Sequence, residues 1–173
     1  MFEKTKLFSD QKVSLVVEEK KKLLDAAIKE FNENTYNYRS RTRTFDETSL
    51  IARMRIHAAE VTGYEARVKG NEVEFAISFD GSASAFRLAP SDSNSNTTIN
   101  PTVQDLISGT MYVRVPNTGN AAQMKADFLP IYDQIVETSK RVTVEINEFN
   151  KTVSSLVSEA VNENKKRMAQ EKT

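Results

Sequence analysis

The sequence predicts an α+β domain: two N-terminal helices, a four-stranded antiparallel sheet and a long C-terminal amphipathic helix. Three observations predict it. Apolar residues recur at helical spacing near both ends of the chain, a central stretch alternates large apolar residues with charged or small ones, and Gly-Asn and Asp-Gly dipeptides punctuate that stretch. A chain of 173 residues makes a single domain over 1–173 the default. It is long enough to bury roughly two thirds of its unfolded surface without a disulfide.

The first predicted element is a helix over 9–34. Val13, Val16, Val17, Leu23, Leu24, Ala27, Ile28 and Phe31 form its apolar stripe. Ser9 is the expected N-cap, and Phe8 and Val13 flank it where a hydrophobic staple needs them. Residues 35–45 read as loop or extended chain. A second helix is expected over 46–61, with Thr44 and Glu47 at capping-box spacing and Gly63 as its terminator.

The sheet is expected within 64–115. Tyr64, Ala66 and Val68 alternate with Glu65, Arg67 and Lys69, and Val73, Phe75, Ile77 and Phe79 alternate with Glu72, Glu74, Ala76 and Ser78. Gly70-Asn71 and Asp80-Gly81 both suit two-residue hairpin turns. Those turns would set Lys69 against Glu72, Arg67 against Glu74, Phe75 against Phe86 and Glu74 against Arg87. Opposed charges and aromatic pairs of this kind contribute about 0.2–1 kcal/mol each. The polar run 90–100 is expected to be a mobile loop. Pro101–Ile107 reads as one or two helical turns, and 111–115 as the fourth strand.

The long helix is expected over 127–161, followed by a polar tail over 162–173. Asp127 would cap it and leave Pro130 in the first turn, where proline is tolerated. Its stripe includes Phe128, Ile131, Ile135, Val142, Ile146, Phe149, Val153, Leu156 and Ala160, with a stutter near Val142. The stretch from 128 to 161 would span about 50 Å at ~1.5 Å per residue, longer than the roughly 40 Å breadth of a globule of this size. Ile135, Val142, Ile146, Phe149, Val153 and Leu156 are therefore expected to form an interface with a second copy, although the first helix and the sheet placed end to end could just cover the stripe within one chain.

Composition narrows the functional classes. Lys and Arg total 24 and Asp and Glu total 24, so no global field draws the chain to nucleic acid or anionic membrane. Without cysteine, disulfides, thiolate metal sites and thiol nucleophiles are excluded. The N-terminal residues are too polar for a signal peptide, and no apolar run reaches the roughly 20 residues that span a bilayer. A cytoplasmic location follows as the expectation, and the sequons at Asn96 and Asn150 read as accidental.

His57, the one histidine, falls on the expected second helix beside Arg53 and Met54. No metal-ligand spacing, phosphate-binding glycine loop or paired carboxylate accompanies it. No cofactor, metal or catalytic residue is expected. One cluster stands out: Arg39, Arg41, Arg43, Arg53 and Arg55, with Tyr36 and Tyr38 just upstream. Guanidinium groups chelate phosphate and aromatic rings stack on bases, but the favoured reading is that the same arginines pair with Glu and Asp on the helices and keep a connecting segment soluble. The leading expectation is a non-enzymatic interaction protein (an adaptor, chaperone or regulator), dimeric through the long helix and binding an unidentified protein partner. The alternative is a binder of nucleic acid or a small phosphorylated ligand through the arginine segment.

Overall fold

The computed structural model describes residues 3–38, 45–92 and 100–171, with the side chains of 34–38 and 171 outside the description. Its architecture is α+β, with a five-stranded antiparallel sheet and a long C-terminal helix. The chain clusters into two compact units, Met1–Ser14 with His57–Ile146, and Leu15–Ile56 with Asn147–Thr173.

The first unit contains the sheet. β1 (Lys4–Lys6), β2 (Ala59–Lys69), β3 (Glu72–Gly81), β4 (Thr102–Ile107) and β5 (Thr110–Pro116) lie in the order β1-β4-β5-β3-β2. The β2–β3 hairpin has the expected register, with Lys69 opposite Glu72 and Arg67 opposite Glu74. Gly70 opens its two-residue turn at φ 60, the conformation that a type II′ hairpin asks of its first turn residue.

The second expected turn does not form. Asp80 and Gly81 continue β3, where Gly81 pairs with Ala59. Glycine stands there because backbones meet: a Cβ would lie 2.3 Å from the Ala58 carbonyl oxygen. Residues Ala83–Arg87 form a 3-10 helix instead of a strand. Phe75 therefore opposes Val113, and Glu74 opposes Arg114, not Phe86 and Arg87. Pro101–Ile107, expected as helical turns, supplies β4. Its alternation is broken by a register shift between Gln104 and Ile107, where Asp105 takes φ 50. A bulge of this kind moves the following side chains to the other face.

The inner face of the sheet is apolar. Val73, Phe75, Ile77 and Phe79 of β3 and Met111, Val113 and Val115 of β5 are all buried. The helix α3 (Ala121–Glu171) contributes to the same unit through its first turns. Phe128 stacks on Phe75 with centroids 3.9 Å apart and planes 5° apart, and Tyr64 meets Phe128 edge-on at 4.9 Å. The chain after Ala89 is tied down: the Ser91 N–H donates to the Glu145 carboxylate, the Ser14 N–H donates to Ser91 Oγ, and Asp92 pairs with Arg141. Of the loop expected over 90–100, residues 93–99 lie outside the described residues.

The second unit is helical. It contains most of α1 (Val13–Tyr38), α2 (Glu47–Met54) and the later part of α3. α1 starts at Val13, so Ser9 caps no helix, and its hydroxyl donates to the Lys6 carbonyl at 2.8 Å. Tyr36 and Tyr38 belong to this helix and not to extended chain. α2 is capped by Asp46, not Thr44, and ends at Met54, so Gly63 lies in β2 and terminates no helix. Leu24, Leu50, Met54, Ile56, Phe149, Val153, Val157 and Val161 are the buried apolar residues here. Asn150 accepts from the Ile56 N–H at 3.0 Å and donates to its carbonyl at 2.9 Å, which commits this sequon side chain to the fold. Asn32 and Asn164 exchange amide hydrogen bonds at 2.9 Å.

α3 is longer at both ends than the expected 127–161. Asn120, not Asp127, caps it, accepting from Ala122 N at 3.0 Å and Gln123 N at 3.2 Å. Pro130 lies inside the helix and leaves the Ala126 carbonyl without its helical donor. Exposure of Ala126 and Pro130 lets water take that role.

The ring stack should dominate the stability of the sheet unit. Phe128→Ala should cost about 3–5 kcal/mol, measured by urea unfolding of purified protein. A loss below about 1 kcal/mol would show that Phe128 is not a core residue.

Candidate functional site

Because side chains alternate along a strand, an apolar inner face obliges the other face to carry the charges. Register places Arg67, Glu74 and Arg114 side by side across β2, β3 and β5. One row further on, Glu65, Ala76, Tyr112 and Gln104 align across β2, β3, β5 and β4. Glu74 is in the middle of this face and only 6% exposed.

Two cations surround its carboxylate. Lys69 Nζ lies 3.2 Å from Oε1, and Arg114 donates to Oε2 through Nε at 3.2 Å and a terminal nitrogen at 3.1 Å. Burial alone would push the Glu74 carboxyl up. The hydrogen bonds from Lys69 and Arg114, with their charges, outweigh it and hold the group below the usual glutamate range. Across the hairpin, Arg67 and Glu65 are exposed and form no ion pair among the described residues.

These side chains border a cleft of ≈ 430 Å³, closed on one side by Glu65, Arg67 and Lys69 and on the other by Asp105, Ile107 and Tyr112. The bulge holds Asp105 in place: its N–H donates to the Glu3 carbonyl at 2.8 Å, and its carboxylate accepts from the Glu3 N–H at 3.2 Å. Ile107 is 59% exposed, an apolar side chain at the rim of a charged hollow. Also on β4, Gln104 Oε1 is buried without a donor among the described residues.

The residues singled out in the sequence lie elsewhere. Arg39, Arg41 and Arg43 are outside the described residues, as are the side chains of Tyr36 and Tyr38. Arg53 on α2 and Arg55 just after it are exposed and form no ion pair among the described residues. Pairing with carboxylates therefore does not account for these two. His57 is exposed and follows α2 instead of lying on it. Among the described residues no group of side chains could hold a metal ion, and no helix is long and apolar enough to cross a membrane.

The expected interface residues Ile135, Val142, Ile146, Phe149 and Val153 are buried within one chain, and Leu156 is half-buried. The stripe is thus largely covered without a second copy. Val157 and Val161 are buried in place of Leu156 and Ala160 as the helix continues.

No family model matches the chain, and no curated protein and no solved structure matches it either.

Glu74 gives the site a defined response to acid. A carboxyl whose folded pKa is lowered stabilises the fold fully above its unfolded value, about 4.3. That contribution is lost as pH falls through the lower folded value. Glu74→Gln should therefore melt below wild type at pH 7, with the gap closing as the pH falls below the ordinary glutamate range. A gap that is constant with pH in thermal melts would mean that the charge of Glu74 contributes nothing.

Proposed function

We propose that this chain is a non-enzymatic protein-interaction module whose contact surface is the charged face of its sheet. The observation that supports this reading is the cleft beside Glu74. It combines a buried, neutralised carboxylate with an exposed apolar Ile107 at its rim and with exposed Glu65 and Arg67 at its border, neither of which has an ion pair among the described residues. Fixed charges of both signs around an apolar contact suit a protein partner, since electrostatic complementarity confers specificity and orientation. Catalysis fits less well, because a general base works best with a pKa near the operating pH. Glu74 is displaced in the opposite direction.

This reading moves the contact surface away from the helix stripe. A dimer through Ile135, Val142, Ile146, Phe149 and Val153 would have to expose side chains that one chain already buries.

The test is affinity capture from the native host with tagged wild type and an Ile107→Asp/Tyr112→Ala variant of unchanged circular dichroism. A discrete protein retained by wild type and lost by the variant is the expected result. The same proteins recovered with both would remove the cleft from the account.

The anion-binding alternative retains one specific support: Arg53 and Arg55 are exposed without carboxylate partners among the described residues. An oligonucleotide or nucleotide bound through this segment should dissociate with rising salt. Replacing Arg39, Arg41 and Arg43 with Ser should abolish that binding and leave thermal stability unchanged. Absence of binding by wild type at low salt would end this alternative.

A further inference from the structure

β2 is an edge strand. It pairs with β3 on one side and, among the described residues, has no strand on the other. Glu65, Ala66, Arg67, Val68 and Lys69 are exposed in succession, and Val68 is 66% exposed. The hairpin settles which backbone groups face outward. In a two-residue hairpin the flanking residues, Lys69 and Glu72, form a hydrogen-bonded pair, and such pairs alternate along the ladder. Register is unbroken from there to Gly63. Arg67 and Glu65 therefore bond across to β3, while Val68, Ala66 and Tyr64 present their N–H and C=O groups outward. An exposed row of this kind is a template for another strand.

We propose that β2 pairs with β2 of a second copy of this chain, antiparallel, about a two-fold axis at Ala66. The charge pattern of the strand selects this partner. With Ala66 opposite Ala66, Glu65 opposes Arg67 of the second copy, and Arg67 opposes its Glu65. Both side chains lack an ion pair among the described residues, and opposed charges directly across strands are favourable. The same register sets Tyr64 against Val68 of the second copy twice, covering the exposed valine on the apolar face. It also makes Tyr64, Ala66 and Val68 the hydrogen-bonded positions, the ones whose backbone groups point outward. Side-chain charge, apolar cover and backbone phase agree on a single register. A two-fold contact must be self-complementary, and this strand satisfies that condition. The result is one continuous sheet running through both copies.

The proposal does not depend on the partner-binding reading: it assigns Glu65 and Arg67 to the second copy and leaves Asp105, Ile107 and Tyr112 as the contact side of the cleft. Light scattering and sedimentation equilibrium on the full chain should show a mass rising with concentration from 19.5 kDa toward twice that value. Glu65→Arg sets like charges across the axis and should hold the protein at monomer mass at every concentration. Adding Arg67→Glu to it restores opposite charges with the sense exchanged and should restore the dimer. Ala66→Pro removes an outward N–H without touching the ladder to β3, and should also give a folded monomer by circular dichroism. Ile107→Asp, which targets the cleft, should leave the dimer intact. A wild type that stays monomeric throughout overturns the proposal. So does a Glu65→Arg variant that still dimerises, or a folded charge-exchanged double variant that does not.

Discussion

The requirement that one face of the sheet stay dry organises the first unit. β3 has strands on both sides and puts Val73, Phe75, Ile77 and Phe79 on that face, all of them buried. Phe128 closes it by stacking on Phe75, and Phe86 from the 3-10 helix meets Phe79 edge-on at 4.7 Å. A slip of one residue in register would exchange this set for Glu72, Glu74, Ala76 and Ser78. The positions of the charged residues are thus consequences of the packing beneath them.

Glu74 shows what that constraint imposes. A carboxylate over the middle strand loses water whatever its partners are, and a buried charge is costly unless paired and hydrogen-bonded. Lys69 and Arg114 meet that demand from the two strands that flank β3. Arg67, directly opposite Glu74 on β2, is left over and faces solvent at the sheet's edge.

Much of this was legible in the residues. Alternation on both sides of Gly70-Asn71 specified the β2–β3 hairpin and its register, since side-chain charge and turn chemistry agreed there. Glu74 between two basic residues was also legible, but the second is Arg114 and not Arg87. Asp80-Gly81 resembles a turn, whereas its glycine answers a close approach of the Ala58 backbone, which only the fold reveals. β4 was hidden by the bulge at Asp105, which interrupts the period of two, and β1 is too short to show a period. Pro130 drew the helix start to Asp127 because proline is commonest in a first turn, while the capping amide is Asn120. The cleft could not be read at all, because Arg67, Asp105 and Tyr112 come together only once the order β4-β5-β3-β2 is known.

The pairing of β1 with β4 has a consequence for how the chain reaches this structure. Lys4 lies opposite Gln104 and Lys6 opposite Thr102, so the first strand of the chain docks only after a hundred residues have followed it. Closing so long a loop carries a larger entropic cost than closing a two-residue turn, and non-local pairings are the slow ones. The β2–β3 hairpin is the local nucleus by this criterion. On the same criterion β5 and β4 should extend it, with β1 docking last. During synthesis the N-terminal segment must therefore leave the ribosome without its own partner.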